Sequence, residues 1–132
     1  MRRVNDIAGN AALSVLEGGH LDTVSFVMDY VEFRIGYNYF RALRPPRVRL
    51  RDGQTAQFPQ EGSRDALCRL IDTTVVSAVE IHGADGQERI EIRTSAGDVL
   101  TVDIDGYDIA EFAHLVPADP QGRPLVSKMA IW

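Results

Sequence analysis

The chain has one cysteine, Cys68, so no disulfide can close within it, and such usage fits a reducing compartment. No apolar run approaches the roughly 18–20 residues of a membrane-spanning helix. The start Met1-Arg2-Arg3 is charged, but Asn5, Asp6, Gly9, Asn10 and Ser14 interrupt the stretch where a secretory signal would need an apolar run. A cytoplasmic protein with no membrane partner is therefore expected. Positive charge is also short: 14 basic residues face 19 acidic ones, for a net charge of −5. That is the wrong sign for general binding to nucleic acid or anionic lipid. The chain lacks GxGxxG, GxxxxGK(S/T), HExxH, GxSxG and paired CxxC motifs, so no cofactor, metal ligand or catalytic residue is assigned.

What is present is an ordinary globular composition, 45% hydrophobic and 25% charged over 132 residues, which makes one domain spanning residues 1–132. Residues 5–17 predict a first helix, capped by Asn5 or Asp6 and stopped by Gly18-Gly19. From Val24 the apolar period changes to two, with Val24, Phe26 and Met28 and then Val31, Phe33 and Ile35 predicting strands. Residues 38–46, ending in Pro45-Pro46, read as irregular. Residues 47–51 alternate, Asp52-Gly53 is a hairpin turn, and residues 54–58 return. Ser63 is read as the cap of a second helix over 64–71. Strands follow at 75–81, 89–94 and 99–104, then a third helix from Asp108 toward Val116, and an edge strand within 124–132.

These elements specify an α+β domain with a mostly antiparallel, strongly bent sheet of about six to eight strands and short flanking helices. The expected core is Leu13, Leu16, Val24, Phe26, Phe33, Ile35, Leu67, Leu70, Val79, Ile90, Ile92, Leu100, Val102, Phe112 and Leu115. Leu21-Asp22-Thr23-Val24 and Ile71-Asp72-Thr73-Thr74-Val75 match across two stretches, 5–58 and 63–104. The match is either a two-fold internal repeat or chance.

Individual reactive residues read as structural. His20, His82 and His114 lie in separate elements with no ligand spacing, and Cys68 reads as a packed thiol. Residues 103–111 fail the EF-hand pattern, since Asp108 stands where glycine is needed and Glu111 arrives early.

Charge, by contrast, is segregated. Six arginines and no acid occupy residues 34–51, while eight acids and two arginines occupy 85–111. Residues 30–40, overlapping the start of the basic stretch, carry five of the ten aromatics: Tyr30, Phe33, Tyr37, Tyr39 and Phe40. A candidate interaction surface is therefore Tyr37, Tyr39, Phe40, Arg41, Arg44, Arg47, Arg49 and Arg51. The two charged stretches either pair within one sheet or meet across a homodimer axis, with residues 37–40 as its apolar centre.

The runs Val27-Met28-Asp29-Tyr30-Val31-Glu32-Phe33, Arg64-Asp65-Ala66-Leu67-Cys68-Arg69-Leu70-Ile71 and Gly97-Asp98-Val99-Leu100 resemble small uncharacterised bacterial proteins, chiefly actinobacterial. That family implies no activity. Some small acidic α+β proteins of this general look are immunity proteins that neutralise a toxin.

The leading functional expectation is a non-catalytic interaction module, with an immunity-type inhibitor as its specific form and a protein or a second copy as partner. The alternative is a small-ligand binder or enzyme with a pocket inside the curved sheet, ringed by Tyr30, Tyr37, Tyr39 and Arg41. Nucleic-acid binding through residues 34–51 ranks third.

Overall fold

The computed structural model describes residues 9–84, 87–105 and 111–132. Among them, ten strands form one open sheet: β1 (His20–Val27), β2 (Tyr30–Ile35), β3 (Asn38–Ala42), β4 (Arg47–Arg49), β5 (Thr55–Gln57), β6 (Thr73–His82), β7 (Glu88–Thr94), β8 (Val99–Asp103), β9 (Ala113–Val116) and β10 (Ala130–Ile131). Two short helices accompany them, α1 (Gly9–Leu13) and α2 (Ser63–Cys68). The expected antiparallel, sheet-rich architecture is present, with ten strands instead of six to eight. No helix among the described residues is long and apolar enough to cross a membrane.

The strand order is β10-β9-β3-β2-β1-β6-β7-β8-β4-β5, with all neighbours antiparallel. Exchanging β1–β5 with β6–β10 reproduces the same order reversed. Each half is a helix, a three-strand meander and a hairpin that crosses over to extend the other half's meander. The halves join where His20 pairs with Thr74 and Leu21 with Thr73. Both central strands carry a bulge, between Leu21 and Thr23 in β1 and between Val75 and Ser77 in β6. The bulges make Leu21 and Val75 equivalent, so the Leu21/Ile71 sequence match does not mark equivalent positions.

Each wing turns back on the centre. A flat sheet would hold β1 and β5 about 24 Å apart, five spacings at ~4.8 Å. Instead Phe58, just after β5, stacks on Phe26 of β1 with ring centroids 5.9 Å apart. On the other wing Trp132, just after β10, donates its indole N–H to Glu80 of β6. The enclosed face holds one hydrophobic cluster including Leu16, Leu21, Phe33, Phe40, Leu67, Leu70, Ile90, Ile92, Leu100 and Leu115. Phe33 and Phe40 are neighbours across β2 and β3, with centroids 6.3 Å apart. Burying each such side chain contributes about 1.5–3 kcal/mol.

Several local expectations are corrected. The Asn38–Ala42 segment is strand β3: Phe40 and Ala42 face the core, and the consecutive aromatics had hidden the alternation. Residues 113–116 form β9, not the end of a helix, while Asp108 lies outside the described residues. Asn5 and Asp6 also lie outside them, and the first helix is followed by a 3₁₀ turn, Ser14–Leu16. Gly62, with φ +83°, holds the cap position of α2, and Ser63 is buried inside the first turn. Cys68 is exposed, because Ala66, Leu67 and Leu70 take the inner side. Val24, Phe26 and Phe112 are only partly buried against the core.

Val79 also leaves the expected core. Simple alternation from Val75 would send Ser77 and Val79 inward, but the bulge inverts the phase, so Ala78 and Glu80 point in. Glycine is needed where the halves meet. A Cβ on Gly19 would come within 2.8 Å of Ile35 Cγ2, while Gly18 turns the chain with φ +83°. Backbone bonds Gly18 N to Val75 O (2.8 Å) and Val75 N to Gly19 O (2.9 Å) extend the β1–β6 junction there.

Candidate functional site

The polar faces of β2, β3 and β9 align side chains in registered rows. Glu32 pairs with Arg41, and Arg41 with His114; in the next row Arg34 pairs with Tyr39, and Tyr39 with Val116. Strand alternation places these residues on the outer face, opposite Val31, Phe33, Phe40 and Leu115.

The first row is a continuous polar chain. Arg41 donates from Nε (3.0 Å) and NH2 (2.9 Å) to the same oxygen, Glu32 Oε2. Its NH1 reaches His114 Nδ1 at 3.4 Å, and its guanidinium lies 5.4 Å from the Tyr30 ring centre. A guanidinium only donates, so Nδ1 of His114 is the acceptor and Nε2 carries the hydrogen. That hydrogen points to Glu111 Oε1, 2.9 Å away. The sequence Glu32–Arg41–His114–Glu111 thus uses both nitrogens of the imidazole and one donor on each nitrogen of the guanidinium.

Above this chain lies a cleft of about 370 Å³ lined by Glu32, Tyr39, Arg41, His114, Val116, Pro124, Val126 and Met129. Four of its lining residues are polar or charged and four are apolar, and the apolar surface predominates. Val126 is 64% exposed and forms part of the rim.

A second cleft, about 300 Å³, occupies the corresponding outer face of the other wing. Arg47, Arg49, Thr55, Gln57, Gln60 and Thr101 supply its polar lining. Arg47 NH1 lies 2.5 Å from Asp103 Oδ2. In the adjoining strand Glu91 accepts from Arg89 (2.8 Å) and Arg93 (3.1 Å). Burial pushes the Glu91 carboxyl up, but the two arginines outweigh it and hold the pKa below the ordinary glutamate value. Folding therefore favours ionised Glu91. Its contribution is present above the usual carboxyl range, near pH ~4.3, and is lost as pH falls through the depressed folded value. The stability gap between wild type and Glu91→Gln should accordingly be larger at pH 7 than at pH 3 in urea titrations. A gap independent of pH would show that the two arginines do not favour the ionised form.

The eight residues expected to form one surface are divided. Tyr39 and Arg41 line the first cleft, and Arg47 and Arg49 the second. Phe40 is fully buried in the core, because strand alternation turns it away from Tyr39 and Arg41. Arg44 covers the Phe112 ring at 5.6 Å. Arg51 binds Asp98, and Tyr37 is exposed outside both linings. Arg47–Asp103 and Arg51–Asp98 join the basic and acidic stretches within one chain.

Residues the sequence reading did not select include Glu32, His114, Glu111 and the apolar rim. The alternation of Tyr30, Glu32 and Arg34 was a usable signal for the first of these. His114 falls in the segment whose capping-box spacing predicts a helix, whereas it lies in strand β9.

The three histidines stay apart: His20 meets Asp72 at 3.0 Å, and His82 lies 3.4 Å from Glu80 and 3.1 Å from Glu88. Among the described residues no group of three or more His, Cys, Asp or Glu side chains could hold a metal ion. Comparison of the chain with protein-family models, curated proteins and solved structures finds no match in any of the three.

Proposed function

We propose that the chain is a non-catalytic protein-interaction module of the cytoplasm that docks its partner on the outer face of β2, β3 and β9. The observation that carries this reading is the engagement of His114 and Arg41 in the cleft. Both ring nitrogens of His114 and all three nitrogens of Arg41 already have partners. His114 therefore has no free lone pair to act as a general base, and the Nε–NH2 edge of Arg41 is not free to hold an oxyanion. This arrangement instead gives a rigid, patterned surface with an apolar rim, as recognition requires. The enclosed face of the sheet is filled by the core cluster, which speaks against the alternative of a pocket there. With Arg47 and Arg51 paired internally, binding to nucleic acid through residues 34–51 has fewer free cations to draw on.

An immunity-type inhibitor of a basic toxin is the specific form that the −5 charge supports. A second reading, small-ligand binding at the same cleft, is favoured by its volume, which falls in the ~300–1,000 Å³ range of ligand sites.

Immobilised wild type and Val126→Asp, exposed to lysate of the source cell, separate these readings. Expected is one protein held near 1:1 by wild type and reduced at least about tenfold by the rim charge. A metabolite released on denaturation, with no protein retained, would instead establish the second reading. Retention indifferent to Val126→Asp would remove this face from the interaction.

A further inference from the structure

We infer that the β2–β3–β9 cleft recognises a cationic aliphatic side chain, the lysine or arginine of a basic protein partner, through Glu32. This rests on the reading of the cleft as a docking face and adds the chemistry of what enters it.

The cleft's donors are largely committed, whereas one of its acceptors is not. Three of the five Arg41 N–H donors are committed, two to Glu32 and one to His114, and its face lies against Tyr30, so its Nε–NH2 fork is closed to a carboxylate or phosphate. His114 Nε2–H is directed to Glu111. The Tyr39 hydroxyl points to Gly122 O at 3.5 Å. Acceptors, by contrast, remain. Both Arg41 bonds fall on Glu32 Oε2, and among the described residues nothing bonds Glu32 Oε1. Glu32 lines the cleft, and its side chain is only 22% exposed.

Along the chain of four residues two carboxylates stand against one guanidinium, and Arg34 in the next row balances the face, so a cation is favoured by the free Glu32 oxygen and not by net charge.

The apolar half fixes the shape of the guest. Val116, Pro124, Val126 and Met129 offer a surface for methylenes, while Glu32 takes the charged tip. Lysine and arginine have this division, an apolar stem and a cationic head. A short acid would leave its charge beside Glu32, and a purely apolar side chain would leave Oε1 desolvated and unbonded.

Selectivity can be read with fragments on the full chain. Titrate n-butylammonium, n-butylguanidinium, butanol and butyrate while observing the Met129 methyl and the His114 ring by NMR. Both cations are expected to shift these signals at millimolar concentration, about tenfold more tightly than butanol, with butyrate weaker still. Glu32→Gln should remove the preference for cations over butanol. The wild-type comparison of ammonium with carboxylate needs no variant, so poor folding of Glu32→Gln would leave the test intact.

Butyrate binding as well as butylammonium would overturn the inference and implicate Arg41 or Lys128. Absence of shifts up to tens of millimolar would overturn it too. Failure here with partner capture still abolished by Val126→Asp would leave the docking face standing. Cation binding with no partner captured would do the reverse.

Discussion

Trp132→Ala is expected to destabilise the fold by about 3–5 kcal/mol, the range for removing a buried large aromatic. The side chain follows β10, the outermost strand of its wing, and is 5% exposed. Its indole N–H is donated to Glu80 Oε1, and its backbone N–H to Ala113 O at 3.0 Å. Glu80 faces inward only because the β6 bulge reverses the alternation after Val75. Its side chain is 3% exposed, with His82 Nε2 3.4 Å from the other oxygen. Truncation therefore leaves a cavity and also removes a donor from a buried carboxylate.

The equivalent closure on the other wing is the Phe26–Phe58 stack, whose polar partner is the Arg64 guanidinium, 5.7 and 5.1 Å from the two ring centres. Trp132→Phe separates the two contributions. The ring is largely kept and the donor lost, so about 1–3 kcal/mol should remain, the cost of taking one donor from a buried carboxylate. Glu80→Leu combined with Trp132→Phe should recover part of that loss, since both polar partners then leave together. Urea denaturation followed by circular dichroism measures all three, because the chain's sole tryptophan is absent from them. A loss below about 1 kcal/mol for Trp132→Ala would mean that the wing does not depend on this closure.

The same bulge marks a limit of what sequence reveals. Val75, Val79 and Ile81 carry a period of two, yet one inserted residue moves Ala78 and Glu80 to the core face. No residue type announces that insertion. Local signals fared better. Asp52-Gly53 turns as expected, with Gly53 at φ +90° and Gln54 N bonded to Asp52 Oδ1 at 3.0 Å. The Val31-Phe33-Ile35 alternation is a core-facing strand.

The candidate cleft was half legible. Tyr39 and Arg41 stood out as an aromatic beside a cation, whereas His114 and Met129 arrive from distant sequence through the β3–β9 and β9–β10 pairings. The crossover of hairpins between halves depends on contacts far apart in the chain. Hydrophobic period cannot encode which edge a strand joins.

Arg51 and Asp98 give the second large effect, and it should be asymmetric. Asp98 is fully buried in the β7–β8 turn, where Thr94 Oγ1 donates to Oδ2 at 3.2 Å. From the end of β4, Arg51 donates its backbone N–H to Oδ1 at 2.8 Å and its NH2 to Oδ2 at 3.0 Å. The arginine side chain is 44% exposed. Removing the carboxylate lets that guanidinium turn to water, so Asp98→Ala costs chiefly the orphaned Arg51 N–H and Thr94 hydroxyl, about 2 kcal/mol. Removing the guanidinium has no such relief. Asp98 cannot reach solvent, and Arg51→Met leaves a buried charge without its counterion, about 3 kcal/mol at the low end for a broken buried pair. The double variant should then cost clearly less than the sum of the two, because each single change leaves behind what the other removes. Midpoints and slopes from guanidinium denaturation of the four proteins decide the matter. Arg51→Met costing less than Asp98→Ala, or strict additivity, would show that the backbone N–H and Thr94 suffice to hold the carboxylate. The β4–β8 seam would then owe its stability to Val48 and Leu100, paired directly across it, and not to the charge at its end.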